Sequence, residues 1–174
     1  MSTFLLKKNI KGFSLVEMLI YIAILVMMLM VIINMLYIIS SSGRRLTSSR
    51  NIENSGAILF ERITREIRNS TSVDSANSTF DTSPGVLVLN QTDLNSNAHS
   101  VKFIISSNTV HVLDNGTDQG PLTGIDTKVT NLVFSRITST SSQAIRIQVT
   151  LQSGTSTAYK SKNFYSTTIL RGSL

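Results

Sequence analysis

Residues able to carry chemistry are sparse in this 174-residue chain, which has two histidines, ten acidic side chains and no cysteine. The missing thiols remove disulfides, thiolate zinc sites and cysteine nucleophiles together. His99 falls in the loop-like stretch 95–100, with Asp93 as the carboxylate near it in sequence. His111 sits in a strand between Val110 and Val112 and so faces away from both. Neither setting supplies a nucleophile, a base and an orienting acid, and no nucleophile-elbow pattern occurs, so no catalytic residue is assigned. Asp114-Asn115-Gly116-Thr117-Asp118 offers oxygens around a glycine as calcium loops do. It lacks the terminal glutamate of the helix–loop–helix motif, so a turn is expected and neither metal nor cofactor is assigned. Arg136, Arg146, Lys160, Lys162 and Arg171 are scattered among Ser and Thr, which gives DNA binding no support. One acid remains with an unusual setting, Glu17.

Glu17 stands at the mouth of an uncharged run, Met18 to Ile39, whose one strongly polar member is Asn34. As a helix the run is about 33 Å long, enough to cross a hydrocarbon core of about 30 Å. Its apolar residues go all the way round, and the remaining chain is too small to enclose it, so membrane insertion is expected. A carboxylate one turn into such a helix costs a few kcal/mol unless it finds a partner. Near the helix N-terminus it gains from the helix dipole and from any free amine there. The basic residues divide between the flanks, Lys7, Lys8 and Lys11 before and Arg44, Arg45 and Arg50 after, so charge bias alone does not orient the span. Asn34 fits either a helix–helix contact or a tolerated polar residue.

Lys11-Gly12-Phe13-Ser14-Leu15-Val16-Glu17 resembles the cleavage and methylation signal of type IV prepilins and type II secretion pseudopilins. The resemblance implies that a membrane prepilin peptidase cuts between Gly12 and Phe13 and methylates the new Phe13 amine. Gly12 before the cut makes physical sense, since a residue without Cβ obstructs a narrow cleft least. The formal charge would fall from +6 to +3 as Lys7, Lys8 and Lys11 leave. Glu17 becomes the fifth mature residue, the position where the family keeps an acid. In an assembly it would pair with the Phe13 amine of a neighbouring subunit and fix axial register. Many major pilins carry Pro where this chain has Asn34, and that departure favours a minor subunit.

Beyond the membrane run, residues 44–69 place Ile52, Leu59, Ile63 and Ile67 on one stripe, with Leu46 and Phe60 also apolar. Glu61–Arg65 and Arg62–Glu66 are spaced as i,i+4 pairs, and Gly43 and Gly56 are points where bending would cost little. Residues 69–84 form a polar connection expected at the surface. Strands are then expected at Val86–Asn90, Val101–Ser106, Thr109–Asp114, Val129–Ile137, Ala144–Gln152 and in the region Ala158–Leu170. Ser107-Asn108 turns a hairpin, and 115–128 reads as a Gly/Asp loop. Alternation along Ile145, Ile147, Val149 and Leu151 argues for a sheet with one wet face.

The expected fold is α+β, a long N-terminal transmembrane helix extending into a globular head of five or six antiparallel strands, the lollipop plan of a pilin. The expected divisions are a leader at 1–12, a membrane and assembly helix at 13–43, an amphipathic helix at 44–69 and a β-rich head at 70–174. Arg65-Glu66-Ile67-Arg68, Pro121-Leu122-Thr123, Asn131-Leu132-Val133-Phe134 and Thr168-Ile169-Leu170-Arg171 resemble the pseudopilin J and minor pilin W class. That resemblance implies a tip or initiation complex of a type IV pilus or type II secretion pseudopilus. The implied partners are the peptidase, sibling subunits, the inner-membrane assembly platform and, before assembly, lipid of a prokaryotic cytoplasmic membrane. The head would then lie outside the cytoplasm. The rival reading is a single-pass anchored enzyme or binding protein whose N-terminus is never cut.

Overall fold

A computed structural model describes residue 12 and residues 14–92, 97–138, 142–155 and 158–170. The chain divides into two compact units, Met1–Ser41 and Ser42–Leu174. One 55-residue helix, α1 (Leu15–Asn69), belongs to both. In the first unit every large apolar side chain from Leu15 to Ile39 is exposed, and no stripe turns inward. The described part of that unit therefore has no core of its own, the state expected of a helix whose solvent is lipid.

In the second unit α1 obeys the opposite pattern. Ile52, Leu59, Ile63 and Ile67 are buried, as their spacing predicts, while Leu46 is exposed. Among the described residues eight strands follow: β1 (Ser72–Val73), β2 (Leu87–Thr92), β3 (Ala98–Ser106), β4 (Thr109–Asp114), β5 (Thr117–Pro121), β6 (Thr127–Thr138), β7 (Gln143–Ser153) and β8 (Lys160–Ile169). All pairings are antiparallel, and they build two sheets, β1-β2-β3-β4-β5 and β6-β7-β8, rather than the single sheet of five or six strands expected. Leu87, Leu89, Val101 and Phe103 from the first sheet and Leu132, Phe134, Ile147 and Val149 from the second join the helix stripe in one core.

The miscounted strands have plain causes. β5 lies inside the expected 115–128 loop, because Thr-Asp-Gln-Gly-Pro has no apolar alternation to reveal it. Asn115 and Gly116 both take positive φ, 48° and 81°, the two-residue hairpin turn that joins β4 to β5. Ser107 and Asn108, at 50° and 63°, make the same turn between β3 and β4, as expected. The polar 69–84 connection is likewise tied down, with β1 paired to β2 and Thr79 bridged to Val86. The helix continues through Gly56, where an added Cβ would come within 2.8 Å of the Phe164 ring, so glycine lets β8 approach α1.

Candidate functional site

Glu17 sits in the first turn of α1, and helix bonding begins at once, with Met18 N donating to Ser14 O at 3.1 Å. Ser14 precedes the helix, and Ser-x-x-Glu is the spacing of a capping box, although the bond Glu17 makes is a different one. Its Oε1 accepts from the Tyr21 hydroxyl at 3.2 Å, one turn further on. Tyr21 was not singled out from sequence. The i,i+4 spacing from the acid was the available signal. Glu17 and Gly12 are exposed, and nothing lies within 4 Å of a Cβ built on Gly12. Phe13, Lys7, Lys8 and Lys11 lie outside the described residues. Glu17 is thus an exposed acid in the first turn of the apolar half of α1.

The head contains polar constellations of a different kind. His99 is in β3 opposite Gln91, not in a loop. His111 does face away from Val110 and Val112, and it meets two partners: Nδ1 is 2.8 Å from Asp118 Oδ2 and Nε2 is 2.9 Å from Thr109 Oγ1. Asp118 also accepts from Gly120 N, and that bond, then His111, holds its carboxyl below the ordinary 3.8. The hydroxyl of Thr109 donates to Ser106 O at 2.8 Å. The His111–Asp118 contact thus fastens β4 to β5, while Thr109 closes the β3–β4 hairpin. Asn115 Oδ1 accepts from Ser100 N, so much of the oxygen of the 114–118 segment is used by the chain itself. Among the described residues no cluster of three or more His, Cys, Asp or Glu side chains is arranged to hold a metal.

Glu66 is the buried acid of the head. Gln91 Nε2 donates to its Oε2 at 2.8 Å and to its backbone carbonyl at 3.1 Å, which ties the end of α1 to β2. Arg62 Nε lies 3.0 Å from Oε1 as an ion pair off the hydrogen-bond direction, and Arg65 leans to the same oxygen at 3.9 Å instead of closing on Glu61. The 121–127 loop docks on α1 through Ser55, whose Oγ donates to Thr127 Oγ1 and accepts from Gly124 N. Of the scattered cations, Arg136 binds Ser75 and stands over the Phe80 ring, while Lys162 pairs with Glu53. Arg171 lies outside the described residues.

Residues 7–33 match the model of the prokaryotic N-terminal methylation motif. The matched segment, of the kind found in type IV pilin-like precursors, runs into a helix long and apolar enough to cross a membrane. No curated protein matches the chain. No solved structure matches it either.

Proposed function

We propose that the chain is a minor pilin or pseudopilin subunit, trimmed between Gly12 and Phe13 by a prepilin peptidase and methylated on the Phe13 amine. The observation that carries this reading is the methylation motif at 7–33 together with a helical stretch, Leu15–Ile39, that has no buried apolar face and an exposed acid in its first turn. Such a helix is stable in lipid, and it is equally stable in a bundle of like helices, so it can pass from one to the other. In lipid a lone carboxylate is costly. A neighbouring subunit's Phe13 amine offsets that cost when the two meet, which makes Glu17 the group that sets the axial step. The platform in the cytoplasmic membrane then moves the subunit into a type IV pilus or a type II secretion pseudopilus, head outward.

Asn34 in place of Pro, and the likeness of Arg65–Arg68, Pro121–Thr123, Asn131–Phe134 and Thr168–Arg171 to the pseudopilin J and minor pilin W class, support a low-copy subunit in a tip or initiation complex. Glu17→Ala tests the assembly role in the producing cell. The variant is expected to be cut and methylated normally yet to stay in the membrane fraction and be missing from sheared filaments. Normal incorporation of the variant would remove Glu17 from the mechanism.

A further inference from the structure

Among the described residues the four sheet edges of the head are not treated alike. β1 is only two residues long, and β5 is short, ends in Pro121 and breaks register between His111 and Leu113. β6 carries a bulge between Val129 and Asn131, and its outer edge is bonded by Asn108, Gly85 and Asp81. β8 has none of these protections: it is ten residues long, regular in register against β7, and without proline. Leu170 N donates to Gln143 O, so the bonded positions toward β7 continue at Thr168, Ser166, Phe164 and Lys162. The N–H and C=O groups of Ser161, Asn163, Tyr165, Thr167 and Ile169 therefore point to the open side. Among the described residues they find no backbone partner there, over about 27 Å of strand. All five side chains are exposed.

Beside this edge lies a receptacle. The inward side chains of β8 are already committed to α1: Phe164 on Gly56 and Phe60, Thr168 to Thr64, Lys162 to Glu53. Next to them a cavity of about 880 Å³ is lined by Phe60, Thr64, Arg65, Arg68, Ile169 and Leu170. Its apolar floor comes from both elements, and its rim is cationic on balance, two arginines against Glu61. A strand laid along β8 would turn alternate side chains toward this part of α1.

We propose that the open edge of β8 is a strand-addition site for an extended segment of a partner polypeptide whose inward side chains are apolar and acidic. The main-chain groups of the five odd-numbered residues supply pairing, and the cavity selects the side chains. A second copy of β8 does not fit this role, because its own inward side chains are held on its own helix. The proposal stands independently of N-terminal processing.

The test uses the full chain in detergent and a labelled, capped peptide that alternates Thr with Leu and Asp, beside a scramble and a version with Lys for Asp. Saturable anisotropy is expected for the Asp peptide alone. Amide exchange at Asn163, Tyr165 and Thr167, fast in the free chain, is expected to slow about tenfold or more on binding. Thr167→Pro removes an edge donor without touching the β7 ladder and is expected to abolish binding. Arg68→Glu, which leaves the strand untouched, is expected to move the preference to the Lys peptide, so a misfolded proline variant would not shelter the idea. Equal binding of the scramble, binding without protection of those amides, or no saturable binding would each overturn it. So would protection of the same amides in the free chain accompanied by dimerisation, since that makes a second copy the occupant.

Discussion

Met27 and Leu59 stand on one helix, yet Met27 is 71% exposed and Leu59 is wholly buried. The two stretches are equally helical and differ in what their apolar residues need. Around Met27 the apolar residues cover every direction, so a sheet could cover only a fraction of them and lipid must serve for all. Around Leu59 they form a stripe that leaves Asn54, Glu61, Arg65 and Arg68 exposed, and two sheets suffice to close it. The same contrast runs through the acids. Glu17 is left open with one long bond from Tyr21, whereas Glu66 is enclosed and bonded by Gln91 and paired with Arg62. The exposed Glu17 carboxylate keeps capacity for a further donor, whereas the Glu66 carboxylate is satisfied within the fold.

The contrast can be broken from either side. Gly12→Val is expected to give the largest effect, accumulation of uncut precursor in cells, with no change in thermal unfolding of the head. Immunoblots of membrane fractions and a melting curve read the two halves separately. Phe134→Ala should do the reverse, leaving processing intact while costing the head about 3–5 kcal/mol, since Phe134 is fully buried between the sheets. Denaturant titration of the purified chain measures it.

The two helical glycines sharpen the comparison further, because the same substitution should change sign. At Gly56 an added methyl meets the Phe164 ring at 2.8 Å, and Gly56→Ala is expected to destabilise the head by about 1–3 kcal/mol. At Gly43 nothing lies within 4 Å, and Gly43→Ala should stabilise the helix by about 0.5–1 kcal/mol. Like-signed shifts in the two denaturation curves would show that the packing difference between these stretches is misread.

Smallest and most local is the β4–β5 hairpin. Asp118 has its carboxyl lowered below 3.8 in the folded chain, so its contribution is present above that pH and is lost as pH falls through the lowered value. Asp118→Asn should speed amide exchange at Gly120 and in the hairpin at neutral pH. The difference from the parent should vanish in acid, and global stability should be unchanged.

Much of this was legible before any coordinates. The membrane run, the Ile52–Ile67 stripe and the Ser107-Asn108 hairpin follow from period and turn chemistry, which are local properties. The split into two sheets was not, because it depends on which edges the 81–85 loop and the Asn108 turn cover, and those contacts join residues far apart in sequence. His99 looks like a loop residue because its neighbours Asn97, Ala98 and Ser100 show no strand alternation, and it is pairing with β2 that makes it a strand residue. The Thr109–His111–Asp118 chain escaped notice for a related reason: β5, which carries Asp118, gave no sign of being a strand. The packing role of Gly56 is invisible locally, because the side chain it admits is Phe164, more than a hundred residues later. At the N-terminus the expected cut after Gly12 and the expected role of Glu17 rest on the motif, while Tyr21 is visible only through its bond.

The most direct measurement is mass spectrometry of the N-terminal peptide of the native protein, isolated from the membranes of cells that hold the prepilin peptidase. A chain that begins at Phe13 and bears one methyl group on its amine is the predicted result. A chain still carrying Lys7, Lys8 and Lys11, with Phe13 unmodified, would contradict the account.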